Sequence, residues 1–254
     1  MSIEIKGIHK SYGSKKVVDD VSVIIPKGKI TSFIGPNGAG KSTLLSIISR
    51  LLTADSGEVY LNNVLLTEQK SSDIAKQLSI LKQSNHINLC LTIEDLVAFG
   101  RFPYSKGNLT KNDRTFIDRA IAYMDLSDIR CQYIDQLSGG QRQRAYIAMT
   151  LAQDTDYILL DEPLNNLDMK HSVQIMQVLR NLVCELNKTV VIVIHDINFA
   201  SCYSDYIVAM KNGKLVQQGS VEQIMQSSVL QEIYDMPIPI QRINDHQIAV
   251  YFRN

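Results

Sequence analysis

The sequence predicts an α/β fold, because three short apolar runs lack the alternation of half-exposed strands. The runs are KITSFIG (29–35), YILLDE (157–162) and TVVIVIHD (189–196). Their mostly apolar composition suits strands buried on both faces of a parallel sheet. Each run stops abruptly at a glycine or a charged residue. Since the ligand crevice of an open α/β sheet lies beyond the carboxyl ends of its strands, we expect the three endings to converge on one site.

Antiparallel strands are predicted where apolar and polar residues alternate. The first thirty residues show this alternation, as in Ile3 and Ile5, which predicts half-buried strands at the start of the chain. Paired turn residues predict three further strand pairs, which turn at Asn62-Asn63, Asn212-Gly213 and Asn244-Asp245. We therefore expect an N-terminal antiparallel β subdomain beside the parallel sheet.

Helical periodicity dominates the middle of the chain. LTIEDLVAFG (91–100) begins with Thr92 as the expected N-cap, and NDRTFIDRAIAYMDL (112–126) is amphipathic. A single helix is also predicted over 221–234. After the first apolar run, the apolar face of another helix is expected to contain Leu44, Ile47, Ile48, Leu51 and Leu52.

The 254 residues can bury a sizeable core. We predict a single domain over 1–254. Its core is formed by 1–90 and 156–254, and a helical subdomain (91–155) is inserted between them.

The composition excludes several classes of protein. The 26 basic and 26 acidic residues cancel, which argues against a nucleic-acid binder that relies on a broad basic surface. The N-terminus has charges where a signal peptide needs an apolar stretch, and no apolar run approaches the roughly 18 residues that span a bilayer. We expect a soluble protein that reaches a membrane only through a partner. Four scattered cysteines are expected to be reduced thiols of a cytosolic protein: Cys90, Cys131, Cys184 and Cys202.

The strongest motif is GPNGAGKS (35–42), which matches G-x-x-x-x-G-K-[ST] between an apolar strand and an amphipathic helix. Glycines let backbone N–H groups wrap around phosphates, Lys41 reaches the β/γ oxygens, and Ser42 offers a hydroxyl to Mg²⁺. A glycine-rich turn without a ligand would leave the lysine and the serine unexplained. The predicted phosphate-binding residues are Gly35, Pro36, Asn37, Gly38, Ala39, Gly40, Lys41, Ser42 and Thr43.

Polar residues at the ends of the other two apolar runs fit hydrolysis of the bound phosphate. Asp161 suits the magnesium-side acid of a P-loop NTPase, and Glu162 is placed to polarise the attacking water as general base. His195 is a candidate for contacting the γ-phosphate. Without the phosphate loop, the carboxylates would be interpreted as a solvated turn and the histidine as a capping or core residue.

Two single residues are weaker candidates. Gln83, in LKQSN, could bind magnesium or the water through its amide, although alone it would be interpreted as a surface glutamine. Tyr12, in SYG, could stack on an adenine, because aromatic–base stacking stabilises nucleic-acid complexes by about 1–3 kcal/mol. Its alternative is a tyrosine packed beside a turn.

LSGGQ (137–141) opens a predicted helix with an unusual composition. Ser138 and Gln141 fit a capping box, in which two side chains satisfy the first N–H groups of the helix. Gly139 and Gly140 do not fit a simple cap, because glycine destabilises a helix by roughly 1 kcal/mol per residue relative to alanine. Bare N–H groups at a helix start attract anions, which suggests a second phosphate contact.

Taken together, these residues resemble the ATP-binding cassette ATPases, and the resemblance covers nearly the whole chain. It implies a P-loop NTPase (RecA-like) core with an N-terminal antiparallel β subdomain and an inserted α-helical signature subdomain. It also implies hydrolysis of ATP with Mg²⁺. Asn165-Asn166 depart from the pattern, because many members carry small or hydroxyl residues there. The roles implied by the resemblance are an adenine-stacking aromatic (Tyr12), the Q-loop glutamine (Gln83), the Walker B pair (Asp161, Glu162), a D-loop residue (Asp168) and the switch histidine (His195).

The resemblance also implies which nucleotide the LSGGQ segment contacts. In this family the LSGGQ of one subunit faces the phosphate loop of the other, so Ser138, Gly139 and Gly140 would contact an ATP held by a second copy of the chain. ATP would close this homodimer and hydrolysis would open it. The movement would be relayed near Gln83 to a membrane permease dimer.

Three further stretches are similar to ATPases of bacterial iron–siderophore importers: VAFGRFPYSKG (97–107), 141–171 and 195–214. The implied location is the cytoplasmic face of the cell membrane, with an extracellular or periplasmic substrate-binding protein in the same system. Import of haem or cobalamin, and export, are the alternatives. A cassette for DNA repair or translation is disfavoured, because only one cassette is present and 44–136 lacks the heptads of a coiled coil.

Overall fold

The computed structural model describes residues 2–83, 90–165 and 167–251. The strands of this part of the chain are β1 (Ile3–Tyr12), β2 (Lys15–Ile25), β3 (Ile30–Ile34), β4 (Ser56–Leu61), β5 (Val64–Leu65), β6 (Leu78–Leu81), β7 (Tyr157–Asp161), β8 (Thr189–Val193), β9 (Tyr206–Lys211), β10 (Lys214–Ser220), β11 (Ile240–Ile243) and β12 (His246–Ala249). The α-helices are α1 (Lys41–Ile48), α2 (Ser71–Ile74), α3 (Ile93–Phe99), α4 (Phe102–Ser105), α5 (Lys111–Tyr123), α6 (Gly139–Ala152), α7 (Met169–Leu186), α8 (Ile197–Tyr203), α9 (Val221–Ile224) and α10 (Ser227–Tyr234). Short 3-10 helices span Leu66–Glu68, Ser127–Ile129 and Ile134–Gln136.

The first compact unit contains residues 2–69 and 189–251. Strand β1 pairs antiparallel with β2 and β4, which forms the predicted N-terminal antiparallel sheet. Strand β3 runs parallel to both β8 and β9, and the hairpin partner β10 extends this second sheet. Every residue of β3 and β8 is buried, which confirms the interpretation of their continuous apolar runs.

The second compact unit contains residues 70–188. Strands β6 and β7 are parallel neighbours, and helices α3, α5 and α6 pack against one another. The long helix α7 follows β7 and buries a stripe that includes Ile175, Met176 and Leu179. The predicted helical subdomain lies within this unit, and its boundaries of 91 and 155 stay a prediction.

The predicted strand pairs and caps are confirmed. Both asparagines at 62–63 have positive φ, as do Asn212 and Gly213, which are the conformations that two-residue hairpin turns require. Strands β11 and β12 flank the third predicted turn. Thr92 caps α3 through a reciprocal capping box with Asp95.

Two local predictions were wrong. The expected helix over 221–234 is interrupted, because buried Met225 adopts a non-helical ψ of 56° between α9 and α10. Helix α1 ends at Ile48, and Arg50 then takes a positive φ of 59°. Leu51 therefore lies beyond the helix with 53% of its surface exposed, while Leu44, Ile47 and Ile48 are buried as expected.

None of the helices that the structure describes is both long enough and apolar enough to traverse a lipid bilayer.

Candidate functional site

The phosphate loop connects the end of β3 to the start of α1. Gly35 opens it with a φ of 137°, and a Cβ at this position would lie 2.0 Å from the carbonyl oxygen of Met210. No side chain larger than hydrogen fits there without displacing the β9 backbone. The close approach of the two backbones therefore fixes where the loop begins.

Lys41 is held inside the loop. Its Nζ donates hydrogen bonds to the carbonyl oxygens of Gly35 at 2.7 Å and Pro36 at 3.0 Å, and only 5% of the residue is exposed. An ammonium fixed in this way is already oriented towards the space that the loop encloses. Little side-chain entropy remains to be lost when it meets a phosphate oxygen.

The N-terminus of α1 is built for an anion. Its N-cap is Gly40, which has a φ of 96° and contributes no side-chain cap hydrogen bond. The caps of α3, α5 and α6 are Thr92, Thr110 and Ser138, each of which accepts a hydrogen bond from a backbone N–H of its helix. At α1 the N-cap residue supplies no side-chain acceptor, and the positive end of the helix dipole favours an anion, as in phosphate sites at helix starts.

We expect Gly35→Ala to weaken nucleotide binding at least about tenfold, because the added methyl group would collide with the Met210 carbonyl and move the loop. The measurement is the Kd for ADP by calorimetry. Gly107→Ala is the matched control: its φ is also positive, at 93°, but no described atom lies within 4 Å of the added Cβ. Wild-type ADP affinity in Gly35→Ala would contradict this account of the loop.

Two carboxylates occupy the end of β7. Asp161 is the last strand residue and is 6% exposed. Glu162 follows with a φ of 51°, a region that residues other than glycine adopt uncommonly. Unusual backbone geometry of this kind persists only where the surroundings impose it, and it frequently marks functional sites.

The Glu162 carboxylate is held by two amides. Gln83 Nε2 donates to Glu162 Oε2 at 2.7 Å, and Asn165 Nδ2 donates to the same oxygen at 2.6 Å. The structure thus joins two predicted site residues, Gln83 and Glu162, although 79 positions separate them. The sequence marks Asn165 only as a departure from the family pattern, and Asn166 lies outside the described residues.

A further contact supports this end of the strand. Gln143 Nε2, on α6, donates to the carbonyl oxygen of Pro163 at 3.1 Å. The sequence offered no signal for it beyond the position of Gln143 two residues after LSGGQ.

The capping box at LSGGQ is confirmed. Ser138 Oγ accepts the Gln141 N–H at 3.2 Å, and Gln141 Oε1 accepts the Ser138 N–H at 3.0 Å. This arrangement uses the acceptor side of the hydroxyl and leaves its O–H able to donate to an anion. The N–H groups of Gly139 and Gly140 belong to the first helical turn, where no intrahelical acceptor exists.

Asp168 caps the long helix α7. Its Oδ1 accepts the backbone N–H of His171 at 2.8 Å, and the His171 ring nitrogen Nδ1 lies 2.8 Å from the same oxygen. The backbone hydrogen bond, with a smaller contribution from the ring, lowers the pKa of Asp168 below its ordinary value. Its implied role between two subunits stays a prediction.

The remaining candidates belong to the first unit. Phe33 of β3 pairs with Val193 of β8, so the phosphate loop and His195 follow neighbouring strand ends, as predicted for two of the three runs. Tyr12 ends β1, and 55% of its surface is exposed. Its ring is therefore available to stack on a base, with the Lys10 Nζ 6.0 Å from the ring centre.

The residues present fit a nucleotide and a magnesium ion. The buried ammonium of Lys41 and the start of α1 suit phosphates, while the hydroxyl of Ser42 and the carboxylate of Asp161 are oxygen donors of the kind that Mg²⁺ prefers. Among the described residues no group of three His, Cys, Asp or Glu could hold a metal by itself. Mg²⁺ is commonly bound through one or two carboxylates together with substrate phosphates.

The chain matches the ABC transporter family over residues 18–165. It is 63% identical over 250 residues to the petrobactin import ATP-binding protein YclP of Bacillus subtilis (strain 168), with 98% of this chain and 99% of that protein covered. It is 50% identical over 249 residues to the petrobactin import ATP-binding protein FatE of Bacillus anthracis, with 98% and 100% covered. These two relatives are therefore similar to it from end to end.

A bacterial ABC transporter cassette solved as a dimer has a similar structure. Its TM-score is 0.79 at 32% identity, with 86% of this chain and 98% of that chain covered. A second structure of the same cassette, in a post-hydrolysis dimer bound to ADP and Pi, gives a TM-score of 0.78 at the same identity and coverage.

Proposed function

Because the chain belongs to the ABC transporter family and is an ATPase of that family, we propose that it energises import of a ferric siderophore through a membrane permease. The observation that carries the substrate class is the 63% identity with a petrobactin import ATP-binding protein over 98% of the chain. Petrobactin is accordingly the first siderophore to test. Haem and cobalamin importers and exporters are the competing assignments.

ATP is bound by the phosphate loop, with its phosphates at the start of α1 and Lys41 on the β/γ oxygens. The exposed ring of Tyr12 stacks on the adenine. Ser42, Asp161 and Gln83 would hold magnesium, which would supply charge neutralisation at the transferred group.

Hydrolysis transfers the γ-phosphoryl group to water. The water oxygen forms a bond to the γ-phosphorus, the bond to the bridging oxygen breaks with its electron pair going to ADP, and the proton of the water passes to the carboxylate of Glu162. His195 contacts the γ-phosphate. The two amide hydrogen bonds to Glu162 keep the carboxylate at the strand end in a defined orientation.

The active unit in this proposal is a homodimer. Ser138 caps α6 ahead of Gly139, Gly140 and Gln141, and these four residues contact the ATP bound by the other copy, because the start of a helix attracts anions. Asp168 lies at the junction of the two sites. ATP then stabilises the closed dimer because it contacts both subunits only in that state.

Transport needs proteins outside this chain. We place the homodimer on the cytoplasmic face of the cell membrane, against a permease dimer that receives cargo from an extracellular or periplasmic substrate-binding protein. The helical subdomain near Gln83 relays closure to the permease. The proposed function requires no nucleic acid.

The proposed substrate class is tested by deleting the gene and measuring uptake of radioactive iron from ferric petrobactin, a ferric hydroxamate and ferric citrate. We expect loss of uptake from ferric petrobactin, restored by the wild-type gene but not by a gene encoding Glu162→Gln. Preserved uptake from ferric citrate is the control for general damage. Unchanged uptake from both siderophores, or a defect confined to haem or cobalamin, would contradict the proposal.

A further inference from the structure

Asn165 and Gln83 donate to one and the same oxygen of Glu162. Their amide nitrogens lie 2.6 Å and 2.7 Å from Oε2 respectively. A carboxylate oxygen has about two lone-pair sites, so two amide donors occupy the acceptor capacity of Oε2. Hydrogen bonds to a charged group are stronger than neutral ones, and they restrict a glutamate side chain that otherwise has three rotatable bonds.

A backbone turn places Asn165 beside Glu162. The N–H of Asn165 donates to the carbonyl oxygen of Glu162 at 3.3 Å, which closes a turn over 162–165. Glu162 itself has the positive φ of 51° that directs its side chain out of the strand. The same turn therefore fixes the backbone of Glu162 and brings the amide of Asn165 to its carboxylate.

Both ends of this loop are attached to helices. Gln143 of α6 holds the carbonyl oxygen of Pro163 at 3.1 Å, and Asp168 caps α7 three residues after Asn165. A shift of α6 would disturb the contact at Pro163, which lies between Glu162 and Asn165 in the chain. Through the Asn165 contact, such a shift also changes the direction of the Glu162 carboxylate.

We infer that Asn165 is a positioning residue for ATP hydrolysis: it orients the Glu162 carboxylate towards the attacking water and couples that orientation to the loop between β7 and α7. The inference rests on the proposed role of Glu162 as general base.

The test is steady-state ATP hydrolysis by Asn165→Leu, which keeps the side-chain size but removes the donor. We expect kcat to fall about 10- to 100-fold, the range expected for a lost hydrogen bond to a charged group, with KM for ATP unchanged within about twofold. Asn165→Asp should be at least as slow, because it places a second negative charge beside Glu162. Asn165→Gln retains an amide and should recover part of kcat. Asn181→Leu, at an exposed asparagine of α7, is the matched control and should leave kcat unchanged.

Non-additivity shows whether Asn165 acts through Glu162. In a Glu162→Gln background, Asn165→Leu should cause no further loss in single-turnover hydrolysis. Full kcat in Asn165→Leu beside an inactive Glu162→Gln would overturn the inference and leave the proposed function standing. A fall in kcat accompanied by weaker ADP binding and a lower melting temperature would also overturn it, since that is a structural effect. Wild-type hydrolysis by Glu162→Gln would instead refute the general-base assignment itself.

Discussion

Glu162→Gln is expected to lower kcat for ATP hydrolysis by about 10²- to 10⁴-fold, the range that positioned general bases contribute. The substitution keeps the shape of the side chain and its acceptor oxygen for the amides of Gln83 and Asn165. It removes the negative charge and, with it, the capacity to take a proton from water. KM for ATP should therefore change little, because the phosphate loop and Lys41 are untouched.

The control for this substitution is Glu185→Gln, which changes an exposed glutamate of α7 in the same way. Its kcat should equal that of the wild type. Hydrolysis by Glu162→Gln at the wild-type rate would show that another group activates the water.

Glu162→Gln also tests the proposed dimer. When hydrolysis is blocked, ATP remains bound between the two copies, so Glu162→Gln with ATP and Mg²⁺ should elute as a dimer in size-exclusion chromatography. With ADP it should elute as a monomer. If Glu162→Gln is inactive but remains a monomer with ATP, the result would support Glu162 as the general base. It would contradict an ATP-bound dimer that forms without the permease.

The sequence predicted those features that depend on residue type and short spacing. Asn-Gly and Asn-Asn pairs placed the hairpins, because few residues tolerate positive φ in succession. Continuous apolar runs located β3, β7 and β8, whose residues are all buried. The break at Met225 was missed, because local helix propensity there is overridden by burial of the side chain.

The candidate site was predicted residue by residue, but its internal contacts were not. A motif shows that Gln83 and Glu162 are both present, yet only the fold brings the amide within 2.7 Å of the carboxylate. Strand β6, the short segment LSIL that leads to Gln83, was not identified because four residues give too weak a period. Asn165 was visible only as a deviation, since nothing in the sequence reveals a turn closed between residues 162 and 165.

Arg101 is the second residue whose removal should have a large effect, in this case on stability. Its side chain is 4% exposed, and its Nε donates to Asp113 Oδ1 at 2.9 Å while Nη1 donates to the Ala152 carbonyl at 3.0 Å. The group also lies 4.1 Å from the ring centre of Tyr104 and 4.2 Å from that of Phe116. It therefore joins three helices of the second unit, α4, α5 and α6.

We expect Arg101→Ala to reduce the free energy of unfolding by about 3–5 kcal/mol, because it leaves Asp113 as a buried charge without its partner. Urea unfolding is the measurement, since urea does not screen charges. Arg242→Ala removes a matched but exposed pair, in which Arg242 and Asp245 are 3.7 Å apart and 74% and 96% exposed, and should change stability by less than about 1 kcal/mol. Equal losses of unfolding free energy in the two variants would show that the buried pair stabilises the protein no more than the exposed pair does.

The pH dependence of stability gives an independent check on the same pair. Hydrogen bonds from Thr110, assisted by Arg101, lower the pKa of Asp113 to about 2 from its ordinary value of 3.8. A lowered pKa stabilises the folded state above the unfolded value, and this contribution is lost as the pH falls from about 4 towards 2. Asp113→Asn retains an oxygen to accept from Thr110 but cannot titrate, so its unfolding free energy should fall less steeply over that interval. Since the other carboxylates are common to both proteins, the difference between the two curves isolates Asp113, and parallel curves would contradict its coupling to Arg101 and Thr110.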